Sequence, residues 1–101
     1  MSGGKLYFLE KLSDINYRMA THEGDAKRRL ASEAIKILIL SPSEVPCLYR
    51  EEFSKLRKIV EATIRDLSSP GLTPTGLRGI GNVTAVKYIK LLINIEESLR
   101  N

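Results

Sequence analysis

The feature that most constrains this chain is a helical period in its apolar residues. Phe8, Leu12, Ile15 and Met19 recur at steps of four, three and four. At 3.6 residues per turn that spacing puts all four on one stripe and predicts a first helix over about 5–21. Gly24-Asp25 follows as a break and an N-cap, because an Asp side chain accepts from the free amides of the next turn. A second helix is expected over 26–40, with Leu30, Ala34, Ile37 and Leu38 facing inward. Its end, Ala34 to Leu40, is rich in β-branched residues and reads locally as a strand too. No second strand segment offers itself for pairing, so helix is preferred. The broad apolar face predicts the most buried helix of the set.

Two prolines in Ser41-Pro42-Ser43-Glu44-Val45-Pro46 bar a continuing helix. A third helix is expected over 48–67, striped by Tyr49, Phe53, Leu56, Val60, Ile64 and Leu67, and ended by Ser68-Ser69-Pro70-Gly71. Thr73-Pro74 then pairs an N-cap with proline at the first helical position. Leu77, Ile80, Thr84, Tyr88, Leu91 and Ile95 continue in step, which predicts a fourth helix over 74–99. Gly76, Gly79 and Gly81 each cost such a helix about 1 kcal/mol relative to Ala. The alternative is a short helix, a turn at Gly79-Ile80-Gly81, and a new helix capped by Asn82. Four amphipathic segments with short connections predict an all-α fold, an antiparallel four-helix up-and-down bundle in a single domain over 1–101. Their 4-3 spacing also leaves room for self-association through an exposed seam.

Composition agrees with one small globular core. The chain has 101 residues, 43% of them apolar and 28% charged, which excludes collagen, low-complexity disorder and a disulfide scaffold. The longest wholly apolar run, Ile37 to Leu40, falls far short of the ~20 residues of a membrane span. Met1-Ser2-Gly3-Gly4-Lys5 leads directly into the first stripe without a signal-peptide core, and Ser2 argues against myristoylation. A single cysteine, Cys47, makes no internal disulfide, so a cytoplasmic location is expected, with no membrane partner.

Catalytic chemistry has little to draw on. His22 beside a helix break reads as a solvated residue or cap, and Cys47 beside a proline hinge reads as a small buried apolar side chain. The two have no metal-ligand spacing, so no metal and no cofactor are expected. Glu51-Glu52 and Glu96-Glu97 are sequence neighbours whose side chains diverge around a helix. Glu51 and Glu52 are expected in the first turn of the third helix, where negative charge complements the dipole. Phosphate-binding loop motifs are absent, and the expectation is a non-enzyme.

Charge is more informative by its distribution. The net value is +4. Residues 1–54 hold eight bases and eight acids, whereas residues 55–90 hold Lys55, Arg57, Lys58, Arg65, Arg78, Lys87 and Lys90 against Glu61 and Asp66, a local +5. Such a face binds phosphates or acidic proteins, or is simply solvated.

Inside it lies Leu77-Arg78-Gly79-Ile80-Gly81-Asn82-Val83-Thr84-Ala85-Val86-Lys87-Tyr88-Ile89. Gly79, Ile80, Gly81, Ala85 and Ile89 fall where the helix-hairpin-helix family has its Gly-apolar-Gly turn and the small and aliphatic residues after it. The segment thus resembles that non-sequence-specific DNA-binding element, with Arg78 where the family usually has proline. The resemblance implies glycines that let the backbone approach a phosphate and amides of the following helix that donate to it. Lys55, Arg57, Lys58, Lys87 and Lys90 would add salt-sensitive attraction.

A longer resemblance rests on Gly24-Asp25-Ala26-Lys27-Arg28-Arg29-Leu30-Ala31, the entry from Pro46 to Arg50, and Asn82 to Ile89, in that order. Over about 22–99 the chain resembles an uncharacterised family of small all-helical bacterial proteins. This implies a cytoplasmic helical bundle whose glycines lie inside a long helix, and it carries over no site residues. Arg28 and Arg29 stand at a helix start, where positive charge is unfavourable, and so predict an acidic partner on a neighbouring helix. The function expected is a protein-interaction or regulatory module working through a helix face, with a homodimer as one form. The alternative is non-specific nucleic-acid binding through residues 55–90, centred on Arg78, Gly79, Gly81, Lys87 and Lys90.

Overall fold

The computed structural model describes residues 4–67 and 76–101. Five α-helices follow in order: α1 Gly4–Thr21, α2 Ala26–Ser32, α3 Ala34–Leu38, α4 Cys47–Arg65 and α5 Asn82–Arg100, with a 3-10 turn Pro42–Glu44 before α4. No strand occurs among the described residues, and no described helix is long and apolar enough to cross a membrane. The helices enclose one core in a single compact globule, with α5 packed against α1, α2 and α4 and α3 packed against α1 and α4.

α1 follows its stripe: Phe8, Leu12, Ile15 and Met19 are all buried. Gly24 then takes φ +123°, a left-handed conformation that favours glycine, and turns the chain into α2. Asp25 caps α2 by accepting the Arg28 amide at 3.0 Å.

The expected helix over 26–40 is two helices. It breaks at Glu33, where the Glu33 amide donates to Leu30 in a tightened turn and the Glu33 carboxylate turns inward to Arg18. Leu30, Ala34, Ile37 and Leu40 are buried, but Ile35 and Ile39 are 52% and 62% exposed. The apolar width of this segment is therefore partly surface, against the expectation of the most buried helix.

α4 starts one residue ahead of expectation, which moves Glu51 and Glu52 into its second turn. Phe53, Leu56, Val60 and Thr63 form its buried side. Cys47 is exposed at its first position, because Val45 fills the core at this corner in its place. The Thr73-Pro74 cap and the Ser68–Gly71 terminator expected from sequence lie outside the described residues.

The expected helix over 74–99 begins only at Asn82. Gly79 takes φ +78° and turns the chain between Leu77, which is buried, and Gly81, the N-cap of α5. Tyr88 and Ile95 of the expected stripe are buried together with Ala85 and Leu92, while Thr84 and Leu91 at its edge are half-buried. Asn82 does not cap its own helix. Its Oδ1 accepts the Lys27 amide of α2 at 2.9 Å, and its Nδ2 donates to Asp25 at 3.4 Å.

Candidate functional site

Three bases of the expected 55–90 face, Lys55, Arg57 and Arg78, are paired with acids. Lys55 lies 3.0 Å from Glu52 and 3.9 Å from Glu51, one turn back on α4. The hydrogen bond that Lys55 donates to Glu52 and the two nearby carboxylates raise the Lys55 pKa, and the same bond lowers that of Glu52. Arg57 pairs with Glu61 at 3.2 Å and donates through Nη2 to the Leu38 carbonyl at 3.1 Å, satisfying the end of α3. Arg78 pairs with Asp66 at 2.7 Å, and its backbone amide donates to the Thr63 hydroxyl, which itself donates to the Ile59 carbonyl. Three cations of the seven are thus matched by acids within the same structure. Counting Glu51 and Glu52, residues 51–90 hold seven bases against four acids, so the local excess falls from +5 to +3.

Lys87 and Lys90 do come together. With Glu52, Tyr88, Leu91 and Asn94 they line a groove of about 240 Å³ between α4 and α5. Lys58 is exposed on α4 and does not line it. Arg57, turned to α3, lies away from it. Gly79 and Gly81 are exposed, with open space where a side chain would stand. Arg28 and Arg29 meet no acid among the described residues; Arg29 donates instead to the Gly24 carbonyl at 2.9 Å. His22 is exposed, and no group of three His, Cys, Asp or Glu side chains is arranged to hold a metal among the described residues.

Two polar clusters were not visible in the sequence. Glu33, only 5% exposed, receives Arg18 Nε at 2.9 Å between α1 and the α2–α3 break. Where α1 meets α5, Asn16 donates to the Leu92 carbonyl at 3.2 Å and to Glu96 at 2.8 Å. Arg100 bonds both Glu96 and the Ser13 hydroxyl. Burial alone would raise the Glu96 pKa, but hydrogen bonds from Asn16, Arg100 and Ser13 outweigh it and hold the carboxyl below the ordinary glutamate range.

A third feature is apolar. Two depressions lie along α1, one of about 130 Å³ between it and residues 39–44, beside Tyr7, Phe8, Leu40 and Glu44, and one of about 180 Å³ between it and α3, beside Lys11, Asp14, Arg18 and Lys36. Ile39 lines both. The sequence signal was present: Ile35 and Ile39 lie off the Leu30-Ala34-Ile37 stripe, so the 26–40 segment carries more apolar width than one core contact needs. Comparisons with known protein families, with curated proteins and with solved structures return no match.

Proposed function

We propose that the protein is a non-enzymatic interaction module that works through a helix face on a protein partner or on a second copy of itself. In this reading the helices form an antiparallel four-segment up-and-down bundle, α2 and α3 together counting as one bent segment. The observation that carries it is the contrast between two surfaces. Three of the seven bases of the basic face are matched by acids, whereas Tyr7, Ile35 and Ile39 remain 49%, 52% and 62% exposed. Apolar surface of this kind gains free energy when another helix covers it, and salt affects that gain little. The resemblance to small all-helical bacterial proteins accords with the reading, and the exposed Cys47 thiol accords with a reducing, cytoplasmic setting.

Non-specific nucleic-acid binding is the second reading. It is favoured by Lys87 and Lys90 lining one groove and by the open space at Gly79 and Gly81, ahead of the α5 amides. Fluorescence anisotropy of labelled duplex and single-stranded DNA and RNA separates the two. Titrations are run at low and near-physiological salt beside an Arg78→Ala, Lys87→Ala, Lys90→Ala triple variant. The interaction reading expects no binding at near-physiological salt and little difference between the proteins. Tight, salt-sensitive binding that the triple variant loses would overturn it in favour of nucleic acid.

A further inference from the structure

We infer that the α4–α5 groove is the docking site for an acidic amphipathic helix of a protein partner, with Lys87 and Lys90 meeting its acids and Leu91 its apolar side chains. The inference rests on the interaction reading above and names the face and the chemistry of the partner. The groove, of about 240 Å³, lies where α4 and α5 run antiparallel. Arg78, just ahead of α5, reaches Asp66 at the end of α4, while Leu91 and Asn94 stand beside Glu52 near its start. Along α5 the groove runs from Lys87 to Asn94, about 10 Å at 1.5 Å per residue, or about two turns of a docked helix. Leu91 is half-buried in it, and Lys87, Lys90 and Asn94 are exposed.

The charges choose the occupant. All 12 acidic residues of the chain lie among the described ones, and none makes an ion pair with Lys87 or Lys90. Glu52, which also lines the groove, is held by Lys55 at 3.0 Å; Lys87 lies close enough to help lower its pKa but makes no ion pair with it. Lys55, Lys87 and Lys90 thus stand against Glu51 and Glu52, and the excess rests on Lys87 and Lys90. Spaced i, i+3, these two share one face of α5, where carboxylates one turn apart on a partner helix complement them. The half-buried Leu91 beside them takes an apolar side chain from the same helix, so contact area and charge are read together. A nucleic acid fits less well. Exposed Glu51 and Glu97 lie to either side, so a phosphate backbone continuing past the lysines meets acids. Tyr88 is 7% exposed and shows no ring face on which a base could stack.

Selection of random phage-displayed peptides on the folded protein tests the inference, followed by fluorescence anisotropy of the enriched peptides. Enriched sequences are expected to combine acidic and apolar residues at helical spacing. The double variant Lys87→Glu, Lys90→Glu, changed at two exposed positions, is expected to weaken their binding about tenfold or more, with circular dichroism confirming that it stays helical. Exchanging the acids of a peptide for lysine is expected to restore binding to the double variant. That rescue depends on the charge contact and not on the stability of the variant. A selection that returns no binder overturns the inference, as do binders without acidic residues or binders indifferent to the double change. Tight binding of labelled DNA or RNA, or of anionic phospholipid vesicles, that the double variant loses overturns it in favour of that polyanion. Peptides that bind away from the groove, with nucleic acid left unbound, remove the groove and not the interaction reading.

Discussion

The ion pairs of α4 join residues of one helix, whereas Ser13, Asn16 and Arg18 of α1 find their partners across helix interfaces. Lys55 with Glu51 and Glu52, and Arg57 with Glu61, sit three or four residues apart, on turns that face the same water. Asn16 with Glu96 and Ser13 with Arg100 join residues 80 and 87 positions apart, and Arg18 reaches Glu33 across a helix break. The first kind of pair decorates a helix that would form without it and contributes little once water and salt screen it. The second kind fixes how one helix lies on another, because each bond is satisfied in a single register. Charge counted along the sequence pointed to residues 55–90, while the cross-helix charged groups lie outside that window, Arg18 and Glu33 in the half that sums to zero and Glu96 and Arg100 near the end of α5.

The largest effect expected from breaking a cross-helix pair is at Arg18. Removing it leaves the Glu33 carboxylate buried and without its cation, and breaking a buried pair in this way costs about 3 kcal/mol. Glu33→Ala should cost less, about 1–2 kcal/mol, because Arg18 is 40% exposed along its side chain and turns to water when its partner is lost. Urea denaturation of the two variants reads the difference. Equal costs would mean that the pair acts by its mutual attraction alone and that burial of Glu33 is immaterial.

The α1–α5 seam is expected to respond next. Both partners of the Asn16 amide nitrogen, the Leu92 carbonyl and the Glu96 carboxylate, accept hydrogen bonds, which fixes which way the amide points. It also leaves Asn16 Oδ1 buried without a partner, so Asn16→Ala removes one orphan while creating others, at a net cost of about 1 kcal/mol. Glu96 gives the seam a pH dependence. Its folded pKa lies below the ordinary value near 4.5, so the stability it contributes is fully present above that value and is lost as pH falls through the folded pKa. The gap in stability between wild type and Glu96→Gln should therefore be constant from neutral pH to about 5 and close progressively below. A gap that persists unchanged through acid would show that the carboxylate charge does not hold the seam.

How far the sequence could be read follows the same division between local and distant. The stripe of α1 and the cap at Asp25 were legible because each depends on residues within a turn or two. The start of α5 was legible only as the alternative of a turn at Gly79-Ile80-Gly81. Leu77 and Ile80 were counted as its first steps, yet Gly79 at φ +78° separates them from the helix, and only the later steps Tyr88 and Ile95 fall on its buried face. The pairing at the Glu33 split was hidden for a different reason: its partner, Arg18, lies fifteen residues away on another helix. The expected basic site had a correct composition but an incomplete neighbourhood. Glu51 and Glu52 lay just outside the counted window and on the same helix as Lys55, while Arg57 was already committed to the end of α3.

Arg57 belongs to both kinds of interaction and so offers the finest division between them. Its Nη1 makes the within-helix pair with Glu61, its Nη2 makes the distant bond to the Leu38 carbonyl, and its Nε is buried without a partner. Glu61→Ala removes only the first, and should change stability by less than about 0.5 kcal/mol, less still at high salt. Arg57→Ala removes both and frees a carbonyl at the end of α3, where water reaches it only partly. The net loss should be about 1 kcal/mol, moderated because the orphaned Nε goes too. Lysine at 57 restores the charge but not the planar fork, so Arg57→Lys should recover the small pair and not the bond to Leu38. If Arg57→Ala and Glu61→Ala prove equally mild, the distant bond contributes no more than the local one, and the contrast between the two kinds of pairing would hold only where the partner is itself buried.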